Sequence, residues 1–149
     1  MTEVAFYHLT QRPLEWALPK LLEKTLEAGA RALVVTGSTA RMEMLDTALW
    51  SYDPASWLPH GRDGDPSPAA QPIWLTVGRE NLNDASYLFL TDGVEMVDLD
   101  RFDRCFDLFD GRDDAAVAAA RNRWRLQKEA GREISYFQQT NTGGWQRKA

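Results

Sequence analysis

Apolar and polar residues follow two periods along the chain, one of strand length and one helical. Val4-Ala5-Phe6-Tyr7-His8-Leu9 is a short apolar run rich in β-favouring residues. From Pro13 to Ala28 the pattern turns helical, with Leu14, Leu18, Leu21, Leu22 and Leu26 on one stripe and Gly29 as C-cap. Pro19 falls inside this stripe, where it either kinks the helix or marks its true first turn. Arg31 to Thr36 is apolar enough for a strand buried on both faces. Ser38 or Thr39 then caps a helix through Trp50, carried by Met42, Met44, Leu45, Ala48 and Leu49.

Helices crossing between buried strands imply a parallel sheet with helices on its faces. Asp53–Pro72, punctuated by Gly61, Gly64, Pro66 and Pro68, reads as a long surface loop. Ile73–Val77 and Tyr87–Leu90 read as further strands. Asp92-Gly93 is a turn signal leading into Val94–Val97, as in a hairpin. Arg104–Phe109 reads as a core strand, a long helix runs from about Asp113 to Ala130 before Gly131, and Ile134–Phe137 adds a last strand. The expectation is one α/β domain over residues 1–149.

Composition supports a packed core: of 149 residues, 44% are apolar and 11% aromatic. The formal net charge of −5 argues against direct, sequence-independent binding of duplex DNA. That charge is unevenly spread. Residues 121–149 hold seven basic residues and two acidic ones, leaving ten basic and twenty acidic in the first 120. The single cysteine, Cys105, excludes a disulfide framework and a multi-cysteine zinc site. No apolar run approaches the roughly 18 residues of a membrane span. The first ten residues, MTEVAFYHLT, show no signal-peptide pattern, so a cytoplasmic protein without cofactor or metal is expected.

Candidate chemistry is sparse. Neither a G-x-G-x-x-G fingerprint nor a phosphate-loop motif occurs, and the first strand-to-helix turn, Leu9 to Pro13, has no glycine. Cys105, mid-strand among Phe106, Leu108 and Phe109, reads as an inert core thiol. The acidic group Asp92, Glu95, Asp98, Asp100 and Asp103 is either a solvated hairpin or a Mg²⁺ site. On the second alternative the chain is a small nucleotide- or phosphate-processing enzyme using Asp92, Asp98 and Asp100. His60 reads as a loop histidine with no acidic neighbour at useful spacing.

The long helix says more. Arg121, Arg125 and Lys128 stand at i, i+4 and i+7, one cationic stripe flanked by Trp124. Two readings stand: a solvated basic face whose tryptophan packs inward, or a dock for a short acidic, aromatic peptide gripped by guanidinium groups. A third possibility, direct single-strand binding through this face, predicts oligonucleotide affinity without a partner. A second region, Leu49-Trp50-Ser51-Tyr52 with Trp57-Leu58-Pro59, is either core or an exposed partner surface.

These segments together resemble the chi subunit of bacterial DNA polymerase III holoenzyme. The resemblance rests on Phe6-Tyr7-His8-Leu9, on Leu45-Asp46-Thr47-Ala48-Leu49-Trp50 followed by Trp57-Leu58-Pro59-His60, on RNRWRLQKEAG, and on the closing Gly-Trp-Gln-Arg-Lys. The ending YFQQTNTGGWQRK is similar to the alphaproteobacterial branch. The resemblance implies a Rossmann-like three-layer fold with a mostly parallel central sheet and no role for a bound nucleotide. It implies a non-catalytic subunit that binds the acidic C-terminal tail of single-stranded-DNA-binding protein and links the clamp loader to coated template, reaching DNA only indirectly. Carried onto this chain, the tail site is Arg121, Trp124 and Arg125. Val117 stands where the family type has a further lysine, a turn earlier on the helix, so the resemblance implies a tail site that is either weaker or uses Lys128 instead. A second interface, for a psi subunit or a helicase, falls on Trp50, Trp57, Leu58 and Pro59.

Overall fold

The computed structural model describes residues 2–53, 55–96 and 98–149. Its elements follow the order β1 (Glu3–Leu9), α1 (Leu14–Glu27), β2 (Ala32–Val35), α2 (Thr39–Ser51), β3 (Gly61–Arg62), β4 (Ile73–Thr76), β5 (Tyr87–Leu90), β6 (Arg104–Asp110), α3 (Asp114–Glu129), β7 (Ile134–Gln139) and β8 (Trp145–Arg147). The strands form one eight-stranded sheet in the order β3-β4-β2-β5-β6-β1-β7-β8. Every neighbouring pair is parallel except β7 with β8. This is a three-layer, Rossmann-like α/β arrangement.

Strand alternation sorts the core into two layers. Ala5, Tyr7, Val34, Phe89, Phe106 and Leu108 face α1 and α2, which supply Leu18, Leu22, Leu45 and Leu49. Val4, Phe6, Leu33, Val35, Leu88 and Cys105 face the other side, where α3 lends Ala120 and, part-buried, Val117 and Trp124. Burial pushes the Cys105 thiol far above its ordinary range, as its place in the middle of β6 demands. Pro19 lies inside α1 rather than in its first turn. Pro13 occupies the N-cap position, and its carbonyl accepts from the Trp16 and Ala17 N–H groups.

Three expectations need correction. Asp92-Gly93 does turn the chain, both residues lying in the left-handed region at φ 56° and 77°, but no hairpin follows. Residues 94–96 are irregular and a 3₁₀ turn at Leu99–Arg101 leads into β6, with Val97 outside the described residues. The reason is topological: β6 pairs parallel to β5, so the chain must travel back along the sheet before re-entering it. The 53–72 segment, in which Pro54 is not described, is more than loop, since Gly61–Arg62 pairs with β4 and Pro68–Ala70 is a 3₁₀ turn. The C-terminal tail also contributes a strand, with β8 pairing against β7 through Phe137↔Arg147, Gln138↔Gln146 and Gln139↔Trp145.

Candidate functional site on α3

Helix α3 starts where the Asp113 carboxylate accepts from the N–H groups of Ala115 (3.0 Å) and Ala116 (3.4 Å), and it closes at Ala130 before Gly131 in the left-handed region. It packs across β6, β1 and β7. Its stripe divides by depth. Val117 and Trp124 are half-buried against the sheet, the Trp124 ring meeting Phe6 edge-on at 5.8 Å and Tyr136 at 5.7 Å. Arg121, Arg125 and Lys128 are exposed. Arg125 is tied to Glu129 (3.1 Å) and Asn122 (2.6 Å), both exposed contacts that give way readily to a stronger anion. The arrangement is a row of cations beside an aromatic anchored in the core.

Arg123, counted among the basic residues of the C-terminal segment, is not part of this surface. It lies buried on the opposite flank of α3, with Nε and Nη2 donating to the Asp107 carboxylate at 2.7 and 3.0 Å. Burial pushes the Asp107 carboxyl above the usual carboxylate range, against the pull of the guanidinium. A residue two positions from Arg121 sits about 200° around the helix, so the wheel could have separated it. Nothing in the spacing reveals Asp107 beneath it.

His8 and Tyr136 also went unmarked by sequence pattern. His8 at the end of β1 and Tyr136 on β7 face α3, with Nδ1 2.7 Å from the phenolic oxygen. Burial lowers the His8 pKa, a backbone hydrogen bond with Gly111 opposes this, and the nearby Arg121 lowers it further. Burial raises the Tyr136 pKa while Arg121 pulls it down. The signal for Tyr136 was its place on the α3-facing side of a period-2 strand.

The second candidate region is at the end of α2. Trp50 is 65% exposed and Trp57 78%, which decides the open question for these two against the core. Leu58 is the correction: it is buried at 4%, pinning the loop that presents Trp57, while Pro59 is half-buried. His60 also departs from expectation. Its Nε2 lies 2.9 Å from the Asp46 carboxylate, its Nδ1 2.7 Å from the Leu58 carbonyl, and its ring centroid 4.6 Å from that of Trp50. The acidic neighbour comes from α2, fourteen positions earlier.

The acidic group of the 92–103 segment does not gather. Asp92 accepts from Arg41 and the Gly37 N–H, Asp98 pairs with Arg101 and Asp100 with Arg132. Among the described residues no three metal-ligating side chains converge. A crevice of about 670 Å³ does open at the carboxyl ends of β1 and β6, where an open α/β sheet binds ligands. Its four arginines are matched by four carboxylates, so it offers no net positive cradle for phosphate. No helix among the described residues is long and apolar enough to cross a membrane.

Residues 1–135 match the family model of the DNA polymerase III chi subunit, HolC. The chain belongs to the DNA polymerase III chi subunit family. It is also 27% identical, over 161 aligned positions, to a probable DNA polymerase III subunit chi of Rickettsia prowazekii (strain Madrid E), covering 100% of this chain and 93% of that relative. Membership gives the chain the place of an accessory, non-catalytic subunit of DNA polymerase III in DNA replication.

Proposed function

We propose that this chain, as one domain, captures the acidic C-terminal tail of single-stranded-DNA-binding protein on α3. In doing so it links the clamp-loader side of the replisome to coated single-stranded DNA in the cytoplasm. The observation that carries this reading is the exposed row of Arg121, Arg125 and Lys128 beside the half-buried Trp124. Guanidinium groups grip carboxylates through two parallel hydrogen bonds, and an aromatic wall supplies the apolar contact that salt does not screen. Val117 contributes apolar floor where the family type supplies a cation, and Lys128 restores the charge about three turns later. The double variant Arg121→Ala/Arg125→Ala is expected to bind a fluorescent tail peptide about 2 kcal/mol more weakly, roughly thirtyfold, while unfolding at the wild-type temperature. Unchanged affinity in the folded double variant overturns the site.

The exposed Trp50 and Trp57 serve, on the same reading, as the dock for a second subunit of psi or helicase type. Leu58 holds the loop in the core, and His60, bonded to Asp46, supports the Trp50 ring from beneath. Trp57→Ala is expected to leave stability within about 0.5 kcal/mol, as for an exposed side chain, and to abolish co-purification of that partner while the tail peptide still binds. Retention of the partner by a Trp50→Ala/Trp57→Ala protein assigns its contact elsewhere.

A further inference from the structure

The sheet surface beside α3 continues past the helix. Beyond Tyr136 the face is built by β7 and β8, where Gln138 is half-buried and Gln146 exposed. Paired residues of an antiparallel ladder point to the same side. Gln138 therefore shares this face with Gln146. Just past β8 the Tyr136 carbonyl accepts from the Lys148 N–H at 2.7 Å and the Ala149 N–H at 3.4 Å, while the Tyr136 N–H donates to the Ala149 carbonyl, so Lys148 and Ala149 together oppose Tyr136. Lys148 is exposed and Tyr136 half-buried, its ring edge against Trp124 and its hydroxyl fixed by His8.

We infer that the dock for the acidic peptide is a groove with two walls, α3 on one side and the β7–β8 shelf on the other. The Tyr136 hydroxyl and the Lys148 ammonium are contacts of the bound peptide alongside Arg121. This rests on the tail-binding reading above and extends it to a strand surface that the helix alone does not supply. Charge selects the occupant. Arg121, Arg125 and Lys128 line one wall and Lys148 stands on the other, while Glu129, on the same helix, is already paired with Arg125. Tyr136 supplies a rigid, amphipathic surface between the two walls, and Gln138 and Gln146 add amides suited to a peptide backbone. The shelf also gives a role to the basic end of the chain that the helix stripe leaves unused.

The test is fluorescence anisotropy with the labelled tail peptide at two salt concentrations. Lys148→Glu is expected to weaken binding about tenfold and to flatten the salt dependence, since an attraction becomes a repulsion. Tyr136→Phe, which keeps the ring, is expected to lose roughly fivefold through the hydroxyl. Lys24→Glu, an exposed position on α1 across the sheet, makes the same change in net charge and is expected to leave affinity unaltered. Weakening by Arg121→Ala with no effect of Lys148→Glu or Tyr136→Phe overturns the shelf and leaves the helix site standing. No effect of Arg121→Ala overturns both. Equal losses from Lys24→Glu and Lys148→Glu reduce the effect to net charge and also overturn the shelf. Lys148→Glu carries the test even if Tyr136→Phe folds poorly, because its side chain is exposed.

Discussion

Asp107→Ala is expected to destabilise the protein by about 3–5 kcal/mol, the largest effect of any single polar substitution in the chain. Asp107 lies on the α3-facing side of β6 and Arg123 beneath α3, their side chains only 5% and 9% exposed, with two hydrogen bonds between them. Removing the carboxylate leaves a buried guanidinium with no anion, and the helix must lift or admit water to hydrate it. The pair itself contributes little, because taking both charges out of water costs about what their attraction returns. The same burial is what raises the Asp107 pKa despite its partner. Asp107→Leu combined with Arg123→Met is accordingly expected to be as stable as the wild type, or up to about 4 kcal/mol more stable. Urea unfolding followed by tryptophan fluorescence measures both. A loss below 1 kcal/mol for Asp107→Ala, or a double variant as weak as the single one, contradicts this account.

Trp74→Ala is expected to cost about 3–5 kcal/mol as well, through a cavity rather than a charge. The indole is fully buried in β4, and β3 lies flat on it: a Cβ added to Gly61 would come within 2.7 Å of the ring. The indole N–H donates to Asp63 at 3.3 Å, and the same carboxylate accepts from the Thr76 hydroxyl and the Val77 N–H, each at 2.9 Å. Trp74 and Asp63 together fasten the segment that carries His60 and, just before it, Trp57. Loss of the indole should therefore loosen the surface proposed for the second partner as well as the core. Limited trypsin digestion is expected to cut after Arg62 much faster in the variant than in the wild type, alongside the fall in urea midpoint. Wild-type resistance at Arg62 would show that β3 is held by its ladder bonds alone.

The layers of the fold were legible because β1-α1-β2-α2 alternates two periods over long, strongly apolar segments. The order of the strands was not, since two fully buried strands such as β2 and β5 carry the same apolar signature wherever they sit. The short strands at Gly61–Arg62 and Trp145–Arg147 hold too few residues to show a period. Asp92-Gly93 misled for a physical reason, because left-handed turn residues serve a hairpin and a parallel return equally well. On α3 the spacing of Arg121, Arg125 and Lys128 was enough to draw the stripe. The deeper half of the candidate site was hidden because its members come from β1, β7 and the tail. Pairs such as His8 with Tyr136, or His60 with Asp46, are made by packing between elements and leave no trace in local spacing.

Both margins of the sheet are brief and carry charge: two residues, Gly61–Arg62, on one side and three, Trp145–Arg147, on the other. Long, flat, apolar margins template pairing with other chains, and short charged ones discourage it. A chain with such margins is thereby kept from zipping onto its own kind. Association is left to side chains on the faces of the sheet, the helices and the loops, where contacts are made and released one at a time.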